Sequence, residues 1–217
     1  MITHDANYDE KISLGYLSGG KIFGDKEFCC SSDQWDETVL AYDNFEGNIL
    51  RCAVDQQKLN EFAVKKDEHG LLMLQLAQKV SEDAEFNRWF PNPALFDNFI
   101  EETICGVKCG AWIDVLSPYK ENERPIALGA LICDDVDAPV SPVALGRYAF
   151  ASKLLLSRNG LIPLIVLVLC DVRNIKVRTV ALTERDFIDL LFKVDERILE
   201  FALFLHDQNK WAEVSGQ

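Results

Sequence analysis

Apolar and polar positions divide the chain into a mainly helical first part and a second part in which strands alternate with helices. In the second part, residues 106–116 and 126–133 are predicted to be two strands joined by a polar loop. Residues 161–170 are almost continuously apolar, which is typical of a strand covered on both faces of its sheet. Residues 176–182 form a further predicted strand.

Two helices are predicted around these strands. The first covers residues 142–158, with proline at its first position, where proline is tolerated, and Asn159-Gly160 at its end. The second begins after Thr183-Glu-Arg-Asp186, a variant of the capping box. Apolar residues recur along this second helix at three- and four-residue steps, at Phe187, Leu190, Leu191, Val194, Ile198, Phe201 and Leu205.

The first part is predicted to contain a hairpin over residues 11–24 and helices over residues 33–90. One of these helices carries an apolar face from Leu71 to Val80 and is expected to begin after Gly70. We therefore expect one domain over residues 1–217, with an acidic hairpin and helical region over residues 1–92 and an α/β core over residues 93–217.

The lengths of the apolar runs, the N-terminus and the cysteines indicate the cellular compartment in which the protein is expected. The longest apolar run, Leu161–Cys170, is half of the roughly 20 residues that a membrane helix needs, so no membrane contact is expected. The acidic N-terminus predicts no signal peptide. Seven cysteines at irregular spacing favour free thiols in the cytoplasm. A zinc site formed by Cys105 and Cys109 with Cys29-Cys30 is the alternative.

The net charge of −13 is unevenly distributed. Residues 1–105 contain 9 basic and 20 acidic residues, whereas residues 106–217 contain 13 and 15. Binding to a phosphate backbone depends on basic side chains, so any DNA contact is expected in the C-terminal half. The acidic N-terminal half is either a solvated surface or a surface for a basic protein partner.

From about residue 71 to 205 the chain resembles the PD-(D/E)XK nucleases, in particular the RecB-type and phage recombination exonucleases. The segment GVKCGAWIDVL is similar to their strand with a metal-binding aspartate, and IALGALIC is similar to the strand with their acid-x-Lys pair. The segment ALGRYAFASKLL resembles the helix over their site. The resemblance implies a restriction-endonuclease-like α/β core, with a mixed central sheet flanked by helices, and a role in DNA metabolism or in a phage or mobile element.

The resemblance also implies a site in which two carboxylates hold Mg²⁺ and a lysine assists an attacking water. Asp114 matches the first metal-binding aspartate. Leu131-Ile132-Cys133 falls where the acid-x-Lys pair is expected, and a leucine cannot bind Mg²⁺, which requires oxygen ligands. Asp134 or Asp135, just beyond, is the candidate second carboxylate.

The helix that follows supplies the remaining candidates. Lys153 or Arg147 is the candidate replacement cation, and Tyr148 matches the tyrosine of the family's helix, whereas Ala144 stands in the place of its glutamine. Upstream, Asp97 is the residue that could replace the family's glutamate.

Three functions follow from this incomplete site. The first is a Mg²⁺-dependent DNA nuclease, and the second is a catalytically impaired relative, or an inhibitor-like or DNA-mimic-like module, that binds a basic protein. The third is a homo-oligomer that buries Phe187, Phe201 and Phe204 across a two-fold axis. The chain contains no phosphate-binding loop, dinucleotide-binding glycine motif or hydrolase elbow, so these enzyme classes are not indicated.

Overall fold

The computed structural model describes residues 45–65, 68–118, 120, 123–140 and 142–215. Its first part contains the helices α1 (Phe45–Val54), α2 (Gln56–Lys65), α3 (Glu68–Glu82) and α4 (Ala84–Trp89). This confirms the predicted helical region from residue 45 onward, although α3 begins at Glu68 and therefore includes Gly70. The predicted hairpin at residues 11–24 lies outside the described residues.

A five-stranded sheet follows, and its strands lie in the order of the sequence. The strands are β1 (Leu95–Ile104), β2 (Val107–Leu116), β3 (Ile126–Cys133), β4 (Leu164–Asp171) and β5 (Lys176–Leu182). Neighbouring strands are antiparallel except β3 and β4, which are parallel. Helix α5 (Pro142–Asn159) connects β3 to β4, and α6 (Glu184–Ser215) follows β5. The predicted α/β class with a mixed sheet is confirmed.

Strand β1 was not predicted. Its sequence, LFDNFIEETI, contains three acidic residues, and its side chains alternate between exposed and half-buried, with Ile100 the one buried residue of the strand. Partial burial leaves little apolar pattern in the sequence, so pairing with β2 along its length decides the conformation of this segment.

Helices cover the sheet on both faces. Strand β4 shows this most clearly, because Ile165, Leu167 and Leu169 belong to a core shared with α5 and α6. Its alternate residues, from Val166 to Cys170, belong to a second core shared with α1, α3 and α4. The strand is buried from Ile165 to Asp171, as its continuous apolar run predicts.

Local capping explains where three helices begin or end. At the start of α4, Asp83 accepts hydrogen bonds from Glu85 N (2.8 Å) and Phe86 N (3.1 Å). At the end of α5, Gly160 adopts a φ of 71°, and its N–H donates to a carbonyl in the last turn. At the start of α6, Thr183 Oγ1 donates to Asp186 Oδ2 over 2.8 Å, which confirms the predicted cap.

The cysteines of the described residues are free thiols. Cys105 is exposed in the turn between β1 and β2, whereas Cys52, Cys109 and Cys170 are buried. Burial raises the pKa of Cys52 to about 11 and that of Cys170 to about 12. Among the described helices, none combines the length and apolarity that spanning a membrane requires.

Candidate functional site

Asp114 lies where β2 separates from β3. The two strands pair at Leu116 with Ala127 and at Val115 with Leu128, and the assigned pairing ends there. Two residues beyond Leu128, Ala130 N donates a hydrogen bond to Asp114 Oδ2 over 3.2 Å. Asp114 is 2% exposed. Its carboxylate therefore accepts a buried backbone N–H of β3 that has lost its neighbouring strand.

The position of β3 that is level with Asp114 is Gly129, because Val115 pairs with Leu128. A Cβ atom at Gly129 would lie 2.4 Å from the hydroxyl oxygen of Tyr148 and 2.6 Å from its Cε1. The tyrosine ring, on α5, therefore occupies the space that a side chain would need. Its hydroxyl donates to the carbonyl oxygen of Ala130 over 3.1 Å, and the residue is buried.

Asp134 and Asp135 do not lie beside Asp114, contrary to the sequence expectation. Because β2 and β3 are antiparallel, Asp134 is five residues beyond the level of Asp114, or about 16 Å at 3.3 Å per residue. Both residues are exposed after the end of β3. Asp134 pairs with Arg173 over 3.2 Å, and Asp135 accepts a hydrogen bond from a backbone N–H two residues on.

The candidate cations on α5 have other contacts. Lys153 Nζ lies 2.7 Å from Asp195 Oδ1 and joins α5 to α6. The guanidinium of Arg147 lies 5.9 Å from the ring centroid of Tyr148. Tyr148 is thus the predicted helix residue that the structure brings to the level of Asp114, whereas the charge of Lys153 is directed to α6.

Asp97 on β1 lies level with Asp114, because the residues on either side of Asp97 pair with Val115 and Ile113, the residues on either side of Asp114. Asp97 adopts a φ of 51°, an uncommon conformation for a residue other than glycine. Its carboxylate pairs with Arg51 of α1, which also lies over the ring of Phe96, 4.8 Å from the centroid. The Asp97 carboxylate therefore forms an ion pair with α1.

A divalent metal does not fit these residues. In the part of the chain that the structure describes, no three His, Cys, Asp or Glu side chains are grouped to hold an ion. Asp114 is sealed from solvent, and the position beside it on β3 is a glycine covered by Tyr148. Mg²⁺ takes several oxygen ligands, and this place offers no room for a second carboxylate from β3.

Asp171, at the end of β4, is a buried carboxylate that was not among the predicted site residues. It accepts hydrogen bonds from the backbone N–H groups of Arg173 (2.9 Å) and Asn174 (3.0 Å) and from the side chain of Asn174 (2.7 Å). The hydrogen bond from the Asn174 side chain is the largest cause of the lowered pKa of Asp171. Asp followed by Asn three residues later, after an apolar strand, is the turn signal that would have revealed this group.

Comparison with solved structures shows a similarity of fold. The fold is similar to the crystal structure of a protein from Eubacterium rectale that is provisionally described as an exonuclease, with a TM-score of 0.54 and 14% identity. The similarity covers 94% of this chain and 88% of the other chain. At this identity the similarity shows a shared fold. No protein-family model matches the sequence, and no curated protein matches it significantly.

Proposed function

We propose that this chain is a PD-(D/E)XK-like protein of DNA metabolism that has lost metal-dependent cleavage and acts by binding. The observation that carries the proposal is the contact between Gly129 and Tyr148 at the level of Asp114. It fills the position where such a nuclease needs a second metal-binding carboxylate.

The chemistry of phosphodiester cleavage supports this reading. Metal-assisted cleavage needs carboxylates that hold the ion and a cation that stabilises the developing charge. At the level of Asp114, β3 supplies Gly129 and, two residues on, Leu131, so neither an acid nor a lysine is present. Asp114 itself serves the backbone of β3 through Ala130. The positions that would carry the catalytic groups, Asp114 and Gly129, are thus part of the packed core.

A surface formed by β5 of the C-terminal half together with Lys79 of α3 suits a DNA phosphate backbone. Lys79, Lys176 and Arg178 line one open depression of about 470 Å³ beside β5. Asp137 lies in the same depression, 3.6 Å from Arg178, and Glu82 lies 3.5 Å from Lys79, so the cluster is only weakly basic. Exposed basic side chains of this kind bind phosphates with a strong salt dependence. Binding without cleavage is the activity that we assign to this surface.

The test combines a cleavage assay with a binding assay on the full chain. Labelled linear double-stranded and single-stranded DNA are incubated with excess protein and Mg²⁺ or Mn²⁺, and we expect no shortening. In parallel, fluorescence anisotropy should show binding that weakens with salt and with Lys176→Ala. Metal-dependent cleavage that Asp114→Ala abolishes would refute the loss of catalysis. Cleavage that survives this substitution indicates a contaminating nuclease.

The distribution of charge along the chain favours a second candidate function, in which the protein is an interaction module that binds a basic protein. Residues 1–44 contain 3 basic and 9 acidic residues, whereas residues 45–89 contain 6 and 8. Several acids of the described helices pair with a base one turn away, as Glu61 does with Lys58 and Glu85 with Arg88. The unbalanced charge is therefore concentrated before α1. Calorimetric titration with protamine, as a basic probe, should show binding that decreases with salt, and salt-independent binding would refute the charge argument.

A further inference from the structure

Helix α6 has two apolar faces. The first face packs into the core with α5 and the sheet through Phe187, Leu190, Leu191, Val194, Ile198 and Phe201. The second face lies on the outside of the molecule, where Ile188 is 38%, Phe192 64%, Leu199 51% and Leu203 58% exposed. We call these four residues the outer stripe. Four large apolar side chains in one row are typical of an interaction site.

The outer stripe corrects the predicted oligomer interface. Phe187 and Phe201, which were predicted to lie across a two-fold axis, are both buried in the core of their own chain. The side chain of Phe204 lies outside the described part. Periodicity alone cannot tell which of two apolar faces of a helix meets the sheet, so the assignment of these faces required the tertiary structure.

The spacing of the outer stripe is symmetric. Its residues follow one another at steps of four, seven and four, and they span 16 residues, or about 24 Å of helix. The centre lies between Asp195 and Glu196. A row with this symmetry is complementary to a second copy of itself in the antiparallel direction, as a two-fold interface requires.

We propose that two copies of this chain pair through α6, antiparallel, across a two-fold axis at this centre. Ile188 then packs against the partner's Leu203, and Phe192 packs against the partner's Leu199. The large apolar surface of Phe192 on each side forms the centre of the contact. The pairing is independent of the proposed loss of cleavage, since the outer stripe is exposed on α6 and Asp114 is buried in the sheet.

Charges beside the outer stripe fit the same register. Lys193 is level with residue 198 of the partner, between the partner's Glu196 and the partner's Glu200. Within the part of the chain that the structure describes, neither Lys193 nor Glu196 has an ion-pair partner in its own chain. Two symmetric contacts of opposite charge therefore flank the apolar row, which favours a second copy over an unrelated apolar partner.

One of the two carboxylates beside the two-fold axis, that of Asp195, is already neutralised. Asp195 lies on the outer face of α6, and its Oδ1 is 2.7 Å from Lys153 Nζ. Lys153 is 21% exposed and comes from α5 of the same chain. The ion pair reduces the repulsion that two aspartates would otherwise produce when the helices meet. This gives Lys153 a role at the interface.

Analytical ultracentrifugation of the full chain over about 1 to 100 µM tests the pairing. We expect a monomer–dimer equilibrium with a dissociation constant in the micromolar range, since one helix pair is smaller than a standard interface. Leu199→Lys should weaken the dimer by about tenfold or more. Leu71→Lys is the matched control, because Leu71 of α3 is 53% exposed and lies away from α6, and it should leave the dimer unchanged.

A charge reversal tests the register. Lys193→Glu should weaken the dimer, and adding Glu196→Lys should restore it, because the reversed charges meet again across the axis. Circular dichroism confirms that each variant is folded. A wild-type chain that stays monomeric over the whole concentration range would overturn the pairing. So would a dimer that Leu199→Lys leaves intact or that Leu71→Lys weakens equally, and failure of the rescue would overturn the antiparallel register.

Discussion

Gly129 offers the most direct test of the closed site, by which we mean the space beside Asp114 and Gly129 that the Tyr148 ring fills. Replacing it with alanine would place a Cβ 2.4 Å from the Tyr148 hydroxyl oxygen and 2.9 Å from Cζ of the same side chain. The Tyr148 side chain is buried. Either the ring or strand β3 must move. Overpacking of this kind costs about 1–3 kcal/mol. If the ring moves, the hydrogen bond to the Ala130 carbonyl is lost as well, at a cost of about 1 kcal/mol.

We therefore expect Gly129→Ala to lower the free energy of unfolding by roughly 2–4 kcal/mol. For a chain of this size, each kcal/mol corresponds to about 2–4 °C in Tm, so the midpoint should fall by roughly 4–16 °C. The measurement is urea unfolding followed by circular dichroism, with thermal unfolding as a second readout.

A double-mutant cycle with Tyr148→Leu shows whether the ring is the cause. If it is, Gly129→Ala should cost clearly less in the presence of Tyr148→Leu than in its absence. Gly160→Ala is the control, since it forces a side chain into a positive φ with nothing within 4 Å of its Cβ. Its cost should be the same with and without Tyr148→Leu. A coupling below about 0.5 kcal/mol between Gly129 and Tyr148 would refute the closed site.

Three further predictions concern buried groups. Asp114→Ala should cost about 1–3 kcal/mol by leaving the N–H of Ala130 without an acceptor, whereas Asp114→Asn should cost less, and equal costs in urea unfolding would contradict this role. The pKa of Asp171 is lowered by folding, so its stabilisation is present above the unfolded value of 3.8 and is lost as the pH falls through the lower folded value. The stability difference between wild type and Asp171→Asn should therefore shrink as the pH falls from about 3.8 through the folded pKa of Asp171, and a difference that stays constant would exclude this linkage. Iodoacetamide at neutral pH should label exposed Cys105 before buried Cys170, as peptide mass spectrometry can show, and equal rates would contradict the burial.

The candidate site was only partly accessible from the sequence. Asp114 and Tyr148 were identified by their resemblance to nuclease motifs, and the structure brings them to the same level of the sheet. Their relation to β3 was not accessible, because it depends on which residue of β3 lies level with Asp114. That residue is Gly129, two positions before the Leu131 segment to which the sequence pattern pointed.

Local signals in the sequence determined the bounds of α5 and β5 and the start of α6 closely, and they located β4 to within three residues. The caps at Gly160 and Thr183 and the apolar run of β4 act over a few residues, so the chain itself carries them. Tertiary packing alone decided three features: the formation of β1, the contact of Tyr148 with Gly129, and which apolar face of α6 meets the core. The physical reason is that strand register and the choice of a buried face depend on contacts between residues far apart in the chain, which no local pattern of apolar and polar positions records.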